Sequence, residues 1–129
     1  MAAERVVLDA SAAISASIAD GWGALSSWDL TAPTLLWSEA AAGIRQLAYR
    51  GELSADEERL ALDRLLAAPV AAVHSSELVR EAFDLAKELG WPKTYDAEYI
   101  VLARRLDIAL LTRDGRLAAT AGRYVRLAS

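Results

Sequence analysis

Arg5-Val6-Val7-Leu8-Asp9-Ala10-Ser11-Ala12 decides the fold class. A short apolar run rich in β-branched residues that stops at an acid reads as a strand, and the alanine-rich Ala10 to Ala19 after it reads as a helix. Near the other end, Ile108 to Thr112 repeats the figure. An apolar strand meets the turn Arg113-Asp114-Gly115, and a short helix over Leu117 to Ala121 follows. Each of these acids thus ends a strand and precedes a helix.

The segments between them alternate in the same way. Gly21-Trp22-Gly23 interrupts the first helix, Gly23 to Trp28 fits a short helix, and Leu30 to Ala32 fits a short strand ahead of Pro33. A longer helix fits Thr34 to Arg50, with Thr34 as its cap and Gly51 as its stop. Ser54-Ala55-Asp56-Glu57 has the form of a capping box and starts a helix reaching Ala67, before Pro69. Val70 to Val73 is a strand, Ser76 to Leu89 a helix closed by Gly90, Thr94 to Leu106 another helix, and Tyr124 to Leu127 a last strand. Strands separated by helices at this spacing imply a parallel sheet covered on both faces, a three-layer α/β/α sandwich. At 129 residues, with no repeat, linker or low-complexity tract, the chain is read as one domain over residues 1–129.

Composition removes several function classes. Hydrophobic residues make up 54% of the chain, yet no stretch approaches the roughly 20 apolar residues of a membrane span. Met1 to Arg5 leads straight into a strand without the layout of a signal peptide, so a cytoplasmic protein is expected. The absence of cysteine excludes a disulfide framework, a thiolate metal site and a cysteine nucleophile. The net charge of −4 argues against nucleic-acid binding by a broad basic surface. Arg104, Arg105, Arg113, Arg116, Arg123 and Arg126 crowd the last quarter of the chain, however, and a local basic rim is expected there.

Four acids stand out. Asp9 and Asp114 end strands at the carboxyl edge, where open α/β sheets place their ligand sites. Glu39 follows an apolar approach near the start of a helix. Asp96, in the first turn of another, shares a face with Ile100 and Ala103 and is expected to point inward. Each has an ordinary explanation alone: Asp9 as a helix cap, Asp114 as a turn residue, Asp96 as a complement to the helix dipole, Glu39 as a solvated side chain. Together they carry more meaning, because gathered carboxylates destabilise one another unless a cation neutralises them. All-oxygen ligands select a hard ion, Mg²⁺ or Mn²⁺, and such an ion supports phosphodiester hydrolysis.

Competing sites fail on the residues. A receiver domain needs an acceptor aspartate after its central strand, but Val70 to Val73 leads into His74-Ser75-Ser76. A haloacid-dehalogenase phosphatase needs Asp-x-Asp where this chain has Asp9-Ala10-Ser11. There is no glycine-rich phosphate loop. The single histidine, His74, has no nucleophile near it and is read as structural. Trp22, Trp28, Trp37 and Trp91 are read as core, with an exposed one suiting a partner surface.

Four blocks carry a resemblance: Val6-Val7-Leu8-Asp9-Ala10-Ser11-Ala12, Leu36-Trp37-Ser38-Glu39-Ala40, Thr94-Tyr95-Asp96-Ala97-Glu98-Tyr99-Ile100-Val101-Leu102-Ala103, and Leu110-Leu111-Thr112-Arg113-Asp114-Gly115-Arg116-Leu117. In this order and spacing they resemble the PIN-domain family, in particular the VapC-type toxins of bacterial toxin–antitoxin pairs. The resemblance implies that the strands before Asp9 and Asp114 are neighbours. It implies catalytic Asp9, Glu39, Asp96 and Asp114, with Asp9, Asp96 and Asp114 as metal ligands and with Ser11 and Thr112 orienting carboxylates or metal-bound water. It further implies Mg²⁺- or Mn²⁺-dependent endoribonuclease activity on an RNA substrate, a homodimer, and inhibition by a cognate VapB-type antitoxin. Some relatives carry another acid just after the last motif; here Gly115 and Arg116 follow Asp114, so the choice between one ion and two stays open. Arg113 and Arg116 are the candidates for phosphate contacts. The leucines Leu60, Leu62, Leu65 and Leu66 are candidates for a groove that receives an antitoxin helix. Two other readings remain: a PIN-fold RNA-processing or DNA-directed nuclease without an antitoxin, and a catalytically silent PIN-fold binding module.

Overall fold

The computed structural model describes residues 3–19 and 21–129; Met1, Ala2 and Asp20, which the one-domain reading also includes, lie outside the described residues. The chain runs β1 (Glu4–Leu8), α1 (Ala10–Ile18), a 3₁₀ turn (Gly23–Leu25), β2 (Trp28–Pro33), α2 (Leu35–Tyr49), α3 (Ala55–Leu66), β3 (Val70–Val73), α4 (Ser76–Leu89), α5 (Tyr95–Leu106), β4 (Ala109–Leu111) and α6 (Gly115–Ala121). The four strands form one parallel sheet in the order β3-β2-β1-β4. In β1, Val7 pairs with Thr31 of β2 on one side and with Leu110 of β4 on the other. Consecutive strand residues point to opposite faces, and Val6 and Val7 are both fully buried. Helices therefore cover both faces, and the fold is the expected α/β/α sandwich. On one face α5 packs across β1, β2 and β4 with α4 behind it; α1, α2 and α3 pack together as a second group.

Because the strands are parallel, all four carboxyl ends share one edge. Asp9 follows β1 and Thr112 follows β4, and the N–H of Asp9 donates to the carbonyl of Leu111 at 3.2 Å. The two sequence-distant acid motifs are thereby held side by side. Several caps act as the sequence indicates. Ser54 and Glu57 form the complete capping box of α3, and Gly90 ends α4 in the left-handed region at φ 72°.

Three local expectations are corrected. Tyr124 to Leu127 is not a strand. The N–H groups of Tyr124 and Val125 both turn back to the carbonyl of Ala121, so only a single bridge, Leu127 to Leu110, reaches the sheet. Thr34 does not cap α2 with its side chain: it already has helical φ and ψ, and its N–H donates to Val73. The helix expected over Gly23 to Trp28 shrinks to the 3₁₀ turn, because Trp28 and Asp29 are drawn into β2 opposite Glu4 and Arg5.

Candidate acidic site

Asp9 lies at the centre of the carboxyl edge and is almost completely buried. Its Oδ1 accepts from the Ser11 hydroxyl at 2.8 Å and from the N–H of Ala12 at 3.0 Å, the second bond being the N-cap of α1. Its Oδ2 accepts from the Thr112 hydroxyl. Each hydroxyl has one proton. Both are given to Asp9, so the 3.2 Å approach of Ser11 Oγ and Thr112 Oγ1 adds no bond between them. Their lone pairs accept instead from backbone: Ser11 from the N–H of Arg113 at 2.9 Å, and Thr112 from the N–H of Asp114 at 3.0 Å. Ser11 and Thr112 thus tie the ends of β1 and β4 together and fix the Asp9 carboxylate.

Asp114 caps α6 with a single oxygen, Oδ1, which accepts from the N–H groups of Arg116 and Leu117. The turn-residue explanation is correct for that oxygen and leaves Oδ2 without a hydrogen bond among the described residues. Glu39, on α2, is half-buried, and its Oε1 accepts from the hydroxyl of Tyr99 at 2.8 Å. Tyr99 was not singled out in the sequence. It lies three residues after Asp96 on α5 and is fully buried, but its partner is 60 positions away, so only the fold identifies it. Asp96 corrects an expectation. Ile100 and Ala103 are buried as expected, yet Asp96 itself is exposed, opening on a groove rather than on the core. It lines this groove, of about 580 Å³, together with Glu39, Asp114, Lys93 and Arg116.

The acids act on one another. Loss of solvent raises the Asp9 carboxyl above its ordinary value against the pull of its hydrogen bonds, and Asp114 adds repulsion. Glu39 is raised first by burial and then by Asp96 and Asp9, while the Tyr99 bond opposes the rise. Asp96, although exposed as a residue, has its carboxyl raised by partial loss of solvent within the groove and then by Asp114 and Asp9. Tyr99 is held far above its ordinary range by burial and by Glu39, so it stays a hydrogen-bond donor. Among the described residues no ion pair reaches any of the four acids. The donors are all oxygen, unneutralised by protein, and so chemically suited to a hard cation. Among the described residues, no three acidic or imidazole side chains are close enough, as they stand, to hold one ion.

The basic rim is smaller than the sequence suggests. Arg105 pairs with Glu77 and Glu81, Arg126 with Glu4, and Arg104 lies over the ring of Tyr124. Arg104, Arg123 and Arg126 line a separate depression beside Ile108, at the opposite edge of the sheet. Near the acids stand Arg113 and Arg116, both exposed, with Arg116 in the groove and Arg113 on a shallower surface beside Asp114. His74 follows β3 at the carboxyl edge and is exposed; burial raises the carboxyl of Glu98, and His74 only partly opposes that rise. The four tryptophans are half-buried against the core as expected. Of the leucines read as a groove, Leu65 belongs to the core while Leu60 and Leu66 are exposed.

The chain matches the PIN domain family model over residues 6–123. It is 36% identical over 117 residues to the VapC ribonuclease Mb0985 of Mycobacterium bovis, covering 89% of this chain and 90% of the relative. It is 33% identical to the ribonuclease VapC1 of Mycobacterium tuberculosis, covering 92% of each. Among solved structures, PAE2754 from Pyrobaculum aerophilum superposes with a TM-score of 0.71 at 28% identity, over 92% of this chain and 86% of that one. A chain of a toxin–antitoxin complex from Klebsiella pneumoniae shares the fold, with a TM-score of 0.55 at 21% identity over 88% and 90% of the two chains.

Proposed function

The chain belongs to the PIN-domain family, and from that premise we propose that it is a Mg²⁺- or Mn²⁺-dependent endoribonuclease, the toxin of a VapBC-type pair. The observation that carries this reading is the group of carboxylates at one sheet edge, three of them raised chiefly by burial and further by neighbouring carboxylates, with no ion pair to them among the described residues. The names of the mycobacterial relatives support RNA as the substrate.

Asp9, Asp96 and Asp114 would hold the ion, which when bound supplies an acidified water and stabilises charge building on the phosphodiester. The protein's own part is positional. Ser11 and Thr112 hold Asp9 in one orientation, and Asp114 caps α6 through Oδ1, which leaves Oδ2 without a hydrogen bond among the described residues and so able to act as a ligand. Glu39, its carboxyl raised by burial and held by the Tyr99 hydroxyl, would take a proton from the attacking water. Arg113 and Arg116 meet phosphate beside the acids. A cognate antitoxin and a second copy of the chain are the expected partners. The exposed Val79 and Phe83, one turn apart on α4, offer apolar surface for such a contact. A cytoplasmic location fits this activity, and no described helix is long and apolar enough to cross a membrane.

Cleavage of total bacterial RNA by the purified protein tests the proposal. Discrete fragments are expected with Mg²⁺ or Mn²⁺, and none with EDTA or in Asp96→Asn. Fragments that persist in both controls would show that the acids do no chemistry.

A further inference from the structure

The groove that holds Glu39, Asp96 and Asp114 has a second wall of different character. Trp91, Pro92, Lys93 and Tyr95, from the α4–α5 connection and the start of α5, line the same 580 Å³ space. This connection is braced. Gly90 turns into the left-handed region, the N–H of Trp91 closes back on the carbonyl of Ala86 at 2.8 Å, and Pro92 restricts its own φ. Tyr95 is nonetheless 52% exposed beside Asp96. A large ring left open in a polar groove calls for a ligand with an apolar face. Lys93 and Arg116 are the basic residues of this groove, and among the described residues neither forms an ion pair.

We propose that the Trp91–Tyr95 segment is a nucleotide subsite, in which a base next to the cleaved phosphodiester stacks on Tyr95 while Lys93 holds a flanking phosphate. The inference rests on the nuclease reading and deepens it by naming where the strand lies. A polyanion entering a row of carboxylates is repelled unless cations on its path offset them, and Lys93 on one wall faces that need as Arg116 does on the other. An aromatic face accepts any unstacked base, and single-stranded nucleic acid is the form that presents one.

The test is direct binding in EDTA, where no cleavage intervenes. Fluorescein-labelled eight-nucleotide oligoadenylate and oligouridylate are titrated with protein and followed by anisotropy, alongside an eight-unit abasic strand. Tyr95→Ala is expected to weaken binding of both oligonucleotides about tenfold, to leave the abasic strand unchanged, and to be rescued by Tyr95→Phe. Lys93→Ala should weaken all three and lower the salt slope by about 0.7. Wild-type protein that binds none of the strands, or variants that bind like wild type, would overturn the subsite. Metal-dependent cleavage by the wild type, lost in Asp96→Asn, is read separately, so the nuclease can stand while the subsite falls.

Discussion

At the scale of single residues, hydroxyl groups decide what the acids can do. Asp9 is buried where a bare carboxylate would be costly, and three donors on its two oxygens keep it in place. Glu39 depends on Tyr99 in the same way. Removing only that hydroxyl, in Tyr99→Phe, keeps the ring in the core and takes away a bond that favours the charged carboxylate. The Glu39 carboxyl must then rise further, because the largest opposing influence on its titration is gone. The acidic limb of the pH profile of kcat/KM is expected to move to higher pH, and stability to fall by about 1 kcal/mol in urea unfolding. An unmoved limb would remove Glu39 from proton transfer. The four acids were visible in the sequence because acids that end apolar strands or interrupt apolar faces break a pattern. The solvent-facing pose of Asp96 and the Tyr99 bond were not, since both depend on elements that meet only in the folded chain.

At the scale of elements, legibility follows where the hydrogen bonds are local. Val70 to Val73 and Ser76 to Leu89 were readable to the residue, because Ser75 and Gly90 mark the ends of α4 in the chain itself. The supposed last strand was not, because the tail's N–H groups are divided between the end of α6 and β4. Helix α5 shows a local signal used against its preference. Its C-cap residue Asp107 sits at φ 54°, a conformation that asparagine adopts more readily, and it puts negative charge beside the carbonyl end of the helix dipole. Asp107→Asn relieves both effects. It is expected to stabilise the protein by about 0.5 kcal/mol, seen as a higher urea midpoint with an unchanged slope. RNA cleavage should be unaffected, since Asp107 lies at the sheet edge opposite the acids. A lower midpoint would show that the aspartate carboxylate has a favourable role there.

At the scale of the whole molecule, the parallel sheet concentrates charge that the fold does not neutralise, and stability and ion binding are coupled for that reason. Asp9, Glu39 and Asp96 are raised above their ordinary 3.8, 4.5 and 3.8. A raised carboxyl keeps its proton in the fold at a pH where the unfolded chain has lost it. Between the ordinary and raised values the native state therefore holds more protons, and these groups make stability fall as pH rises through that window. Below the ordinary values the penalty is absent; above the raised ones it is complete. A divalent ion binds the deprotonated carboxylates of the native state alone, so its stabilisation should appear where the penalty does. Thermal unfolding followed by circular dichroism, with EDTA or with Mn²⁺, separates these effects when wild type is compared with Asp96→Asn. Without metal, Asp96→Asn should be the more stable of the two near neutral pH, with the advantage vanishing as pH falls below the ordinary 3.8 of the carboxyl. With Mn²⁺ at neutral pH the order should reverse, because the wild type gains Tm from the ion and the variant has lost a ligand. Equal Tm gains from Mn²⁺ in both proteins would place the ion away from Asp96. A metal-free wild type more stable than the variant at neutral pH would mean that the carboxylates at this edge are neutralised without an ion.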